Sequence, residues 1–75
     1  MELQYQSQID NLLTSIACEM YANTPECQKT KEGLLTMANS TYESIDRYIQ
    51  SATDKGVSVD NALMCILLFF QLKAN

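Results

Sequence analysis

An all-α fold is predicted by three features of this 75-residue chain: it holds only two glycines and one proline, its apolar residues recur at helical spacing, and its composition is 47% hydrophobic and 19% charged. Such a balance belongs to a folded domain rather than a disordered segment. One helical domain is expected, and a domain this small removes only about 60% of its unfolded surface from water, so its stability is marginal. The predicted architecture is a small three-helix bundle, or a helical hairpin plus a C-terminal apolar helix, with helices over about 2–22, 25–54 and 59–73. The third helix adds the expectation of a dimer.

In the first helix Tyr5, Ile9, Leu12, Ile16 and Met20 recur in steps of three and four, and Leu13, Ala17 and Tyr21 widen the stripe. Gln4, Ser7, Gln8, Asp10, Asn11, Ser15 and Glu19 lie on the other side and suit water. Asn23-Thr24-Pro25-Glu26 then restarts a helix: Thr24 supplies a capping hydroxyl, Pro25 fits the first helical position, and Glu26 complements the positive end. Beyond it Leu34, Leu35, Ala38, Tyr42, Ile45, Tyr48, Ile49 and Ala52 keep helical spacing as far as Asp54-Lys55-Gly56, which predicts one continuous second helix. Gly33 inside that run predicts a close helix contact, or a weak first turn before a more regular second half. Gly56 can close the helix in a left-handed conformation, Ser58 can cap the third with Asp60 in its first turn, and Val57 can pack on Ala62.

The third helix carries the functional argument. Between positions 62 and 72 Gln71 is the only strongly polar side chain. Val59, Ala62, Leu63, Ile66, Phe69 and Phe70 cluster on one side and are assigned to the core. Met64, Cys65, Leu68 and Leu72 form a second line on the back, which a three-helix bundle of one chain has no reason to bury. The strongly apolar part is about 11 residues, against about 20 for a membrane span. A helix lying in a membrane interface sets an apolar face against a basic one, and here Lys73 is the only base. Burial on nearly all sides remains, either centrally within the chain or in a subunit interface, and the second line points to the interface. Left in water, Met64, Leu68 and Leu72 would each forgo about 1.5–3 kcal/mol, a large part of a total stability of about 5 kcal/mol.

The net charge of −4, with Lys29, Lys31, Arg47, Lys55 and Lys73 scattered, argues against nucleic acid as a partner. Glu2, Asp10, Glu19 and Glu26 give the first third an acidic, solvated surface. Cys18, Cys27 and Cys65 are odd in number and the chain has no histidine, so neither a disulfide framework nor a metal site is expected. Free, partly buried thiols and a cytoplasmic location fit, since the first residues contain neither a basic nor an apolar signal region. Cys65, among Leu, Met and Ile, reads as inert packing. Cys27, in the first turn of the second helix, is the thiol with a physical case for reactivity. Asn39-Ser40-Thr41 matches a glycosylation sequon, which carries little weight without a secretory signal.

No catalytic residue or cofactor is expected. Without histidine the Ser-His and Cys-His pairs cannot form, and no glycine-rich loop offers a phosphate cradle. Glu43 and Asp46, with Asp10 nearby, read as a solvated face, Glu43 and Arg47 as a helical ion pair, and Tyr5, Tyr21, Tyr42 and Tyr48 as rim residues with wet hydroxyls. The function expected is that of a small non-catalytic protein-interaction module: an adaptor, a regulator or a chaperone-like protein. It would bury the back of its C-terminal helix against a second copy or a partner protein. Met64, Cys65, Leu68 and Leu72 are the expected contact residues, with Tyr5 and Tyr48 as outlying ones. The alternative is a regulator or inhibitor of a larger assembly, as in transcription, cell division or a phage-host target. In length and helix class, though not in any motif, the chain is similar to small co-chaperones of bacterial type III secretion and to short helical inhibitors made by phages.

Overall fold

The computed structural model describes residues 3–20 and 30–74. These contain four α-helices and no strand: α1 Gln6–Met20, α2 Thr30–Met37, α3 Tyr42–Asp54 and α4 Val59–Ala74. The fold is all-α. The expected cap around Thr24 and Pro25, and Cys27 with it, lie outside the described residues.

Helix α1 is the hub and packs on the other three. Its fully buried residues are Ile9, Leu13 and Ile16, with Ala17 beside them, while Tyr5 and Leu12 are half-buried at the edge of the stripe. Leu34, Leu35 and Ala38 from α2 and its end, Ile45 and Ile49 from α3, and Ala62, Ile66 and Phe70 from α4 complete one core. The α4 contribution is a line at i, i+4 and i+8, the geometry that keeps one face of a helix against its neighbours.

The second helix departs from expectation: the continuous helix predicted over 25–54 is broken between Met37 and Tyr42. The cause is local backbone chemistry. Asn39 adopts a left-handed conformation, φ 55°, which asparagine tolerates better than most residues. The N–H of Asn39 then reaches back to the Thr36 carbonyl at 3.1 Å and that of Ser40 to the Leu35 carbonyl at 2.8 Å, which closes α2. Thr41 opens α3 with a reciprocal cap: the Ser44 N–H donates to Thr41 Oγ1 at 3.1 Å, and the Thr41 N–H donates to Ser44 Oγ at 2.9 Å.

The same device joins α3 to α4. Gly56 takes φ 90°, its N–H bonds the Thr53 carbonyl and the Val57 N–H bonds the Ala52 carbonyl, both at 3.0 Å. Ser58 then accepts the Asn61 N–H at 3.1 Å. Both corners consist of a left-handed residue, a connecting residue and a hydroxyl cap.

Two carboxylates pin the helices together. Asp10 on α1 accepts the Tyr42 hydroxyl at 2.9 Å and the Gln6 amide at 3.4 Å, and its Oδ1 lies 3.4 Å from Lys31 Nζ, so α1, α2 and α3 meet at one side chain. The Tyr42 hydrogen bond, helped by Gln6 and Lys31, holds the Asp10 carboxyl below the usual carboxylate range. Burial and the Asp10 bond together push the Tyr42 phenol up to about 12. Tyr42 is half-buried, and its hydroxyl is committed to Asp10 rather than left wet as its spacing predicts. Asp46 also departs from the solvated reading: it is 3% exposed and accepts the Tyr5 backbone N–H at 2.8 Å and the Gln50 side-chain amide. It thereby satisfies a backbone donor at the start of α1 that has no partner within its own helix. Glu43 and Arg47 do not pair; among the described residues the ion pair is Lys31–Asp10.

Candidate protein-interaction surface

The face of α4 opposite Ala62, Ile66 and Phe70 is apolar and open. Met64 keeps 56% of its surface in water, Leu68 53%, Phe69 44% and Leu72 76%. Met64, Leu68 and Leu72 follow one another at i, i+4 and i+8, so they form a continuous ridge along the helix. No charged side chain interrupts it, since α4 carries charge only at Asp60 and Lys73.

Beside the ridge a groove of about 440 Å³ runs between α3 and α4. Ile45, Ile66 and Phe70 form its buried floor, with Tyr48 on the α3 side and Cys65 and Phe69 on the α4 side. Ser40 and Ser44 line it as well, and their hydroxyls are already committed: Ser40 Oγ donates to the Ala38 carbonyl at 3.3 Å and Ser44 Oγ to the Thr41 carbonyl at 2.8 Å. The groove therefore offers an occupant apolar surface and two polar groups, the Tyr48 phenol and the Cys65 thiol.

These two groups act on each other. Hydrogen bonding to the Cys65 thiol, joined by partial burial, raises the Tyr48 phenol above its ordinary pKa. Phe69 stands edge-on to Phe70, with ring centroids 5.9 Å apart at 77°, and Lys73 Nζ lies 5.8 Å from the Phe69 ring centre. Such contacts are worth about 0.5–1.5 kcal/mol for the ring pair and about 0.5–1 kcal/mol for the exposed cation.

The expected contact residues are thus partly gathered. Met64, Leu68 and Leu72 form the ridge, and Cys65 and Tyr48 face each other across the adjoining groove. Tyr5 stands apart from them: it is half-buried against the core, with its backbone bound to Asp46. Two corrections follow. Phe69, assigned to the core, is a groove wall; its place four residues after Cys65 and one after Leu68 was the available signal. Cys65, read as buried and inert, is exposed, as is Cys18.

Among the described residues no group of His, Cys, Asp or Glu is placed to hold a metal ion, and no helix is long and apolar enough to cross a membrane. Comparisons with protein-family models, with curated proteins and with solved structures return no match.

Proposed function

We propose that the chain is a non-catalytic protein-interaction module, an adaptor, regulator or chaperone-like protein, whose outer α4 face is buried against another chain. The observation that carries this reading is the contiguity of Met64, Leu68 and Leu72, all more than half exposed on one helix face with no charge among them. Apolar patches beyond a few hundred Å² mark interaction sites on small soluble domains, and these side chains alone forgo several kcal/mol while they remain wet. The mode is helix-in-groove packing, in which apolar side chains of the partner fill the channel between Tyr48 and Phe69. The carboxylates that might have served acid-base chemistry, Asp10 and Asp46, are engaged in hydrogen bonds between helices.

Size-exclusion of the protein in extract of its native host tests the reading. The expected result is migration well above the mass of one chain, returned to that of one chain by Leu68→Asp with helical circular dichroism retained. Unchanged migration would count against the reading, and collapse of helicity would place Leu68 in the intrachain core.

A further inference from the structure

Resting on that reading, we infer that the occupant of the outer α4 face is a second copy of this chain, related by a two-fold axis that runs along α4 beside Cys65. The first support is area. At about 200 Å² for a side chain of this size, the exposed parts of Met64, Leu68, Phe69, Leu72 and Tyr48 amount to roughly 550 Å². Two such faces, wholly covered, remove about 1,100 Å² from water, which reaches the floor of about 1,000 Å² for a specific interface and is the size of a weak, reversible pair.

The second support is shape. A symmetric pair must present the same patch twice, so that patch has to contain both halves of its own fit. Here the Met64–Leu68–Leu72 ridge lies parallel to the groove, with Cys65 and Phe69 between the two. A two-fold axis along α4 at that line lays the ridge of each copy over the groove of the other. The contact is reciprocal and leaves no half unfilled.

Charge bears on this occupant at one end only: the ridge is uncharged between Asp60 and Lys73, while the in-register axis sets Lys73, which lies over the Phe69 ring, toward the Lys73 of the other copy, so added salt should strengthen the pair. A partner recognised through basic or acidic groups would find no counter-charge there.

The axis makes a specific geometric demand: Cys65 faces the Cys65 of the other copy, whereas Cys18, exposed on α1, lies off this face. Sedimentation equilibrium of the purified 75-residue chain across the micromolar range should give twice the mass of the chain. Leu72→Glu, at a side chain too exposed to support the core, should return it to one chain. A Cys18→Ser, Cys27→Ser protein oxidised in air with copper phenanthroline should cross-link through Cys65 to a covalent dimer, and Cys65→Ser should abolish it. A dimer that survives Leu72→Glu, or one that cross-links through Cys18 and not Cys65, overturns the inference. A purified protein that stays monomeric, while its migration in host extract still depends on Leu68, overturns the second-copy inference alone. A monomer indifferent to Leu68 in both settings overturns the interaction reading with it.

Discussion

Phe69 and Phe70 are adjacent, chemically identical and attached to the same helix, yet one is 44% exposed and the other 0%. The difference extends along α4. Its inner line, Ala62, Ile66 and Phe70, is matched by side chains from α1 and α3, and its outer line, Met64, Leu68 and Leu72, by nothing among the described residues. On α3 the division between buried and exposed largely follows that between apolar and polar: Ile45 and Ile49 face in, Glu43, Arg47, Gln50 and Asp54 face out, and the exceptions are Asp46, buried on its two hydrogen bonds, and Tyr48, exposed at the groove. On α4 the two divisions separate. That excess of apolar surface over what the fold can bury is what distinguishes the candidate site from the rest of the molecule.

The largest test sets the two phenylalanines against each other. Truncating a fully buried Phe costs about 3–5 kcal/mol, close to the whole stability of a domain near the lower limit of about 5 kcal/mol. Phe70→Ala should therefore be largely unfolded by urea titration followed by circular dichroism. Phe69→Ala loses an edge contact and a cation contact on a half-exposed ring, and should cost no more than about 1 kcal/mol. Measured in a Leu68→Asp chain, where the outer face plays no part, the two losses should differ by at least about 2 kcal/mol. Equal losses would mean that the two faces are not energetically distinct.

A second test separates the faces by pH. The Asp10–Tyr42 bond couples α1 to α3, and its titration belongs to the fold, not to the outer face. Asp10 titrates below its ordinary 3.8 in the folded chain, so its contribution is present above that value and is lost as pH falls through the depressed one. Tyr42 titrates at about 12 instead of 10.0, so its contribution is complete below 10.0 and disappears as pH rises toward about 12. Stability should fall at both edges, and Tyr42→Phe should flatten both. Between these edges the ridge contains nothing that titrates, so association should stay flat from about pH 5 to 8. A steep change of association within that interval would tie the outer face to an ionisable group and break the separation.

How much of this was legible depended on whether the signal lay in spacing or in local backbone chemistry. Ile9, Ile16, Leu34, Ile45, Ile49, Ala62, Ile66 and Phe70 all stood on readable stripes and all are buried. The exposed ridge was readable for the same reason, as a surplus. The break at Asn39 was hidden because the turn from Ala38 to Thr41 takes up about as many residues as one helical turn, so Leu34, Ala38, Tyr42, Ile45 and Ile49 keep helical spacing across it. Gly56-Val57-Ser58 was readable as a corner because glycine advertises a left-handed residue. Asn39-Ser40-Thr41 is the same corner written with asparagine, which takes the left-handed conformation less often than glycine. Asp46 was unreadable in principle from spacing, since its partner, the Tyr5 N–H, lies 41 residues away, just before α1.

The smallest expected effect supplies the control for the others. Thr41 and Ser58 each cap a helix through a hydroxyl, and neither belongs to the ridge. Replacing either by Ala removes one partner of a backbone N–H at a helix start and should cost about 1 kcal/mol. Thr41→Ala should cost the more, because Thr41 and Ser44 satisfy each other's backbone reciprocally, while the Ser58 cap at the start of α4 rests on the single bond from Asn61. Either variant lowers stability without altering the outer face of α4. If association depends on that face, sedimentation of both should match the unsubstituted protein, while Leu72→Glu, which removes no intrachain contact of the core, should not. If capping variants and face variants weaken association in proportion to their urea midpoints, association follows global stability, and the contrast between the two faces of α4 is one of exposure alone.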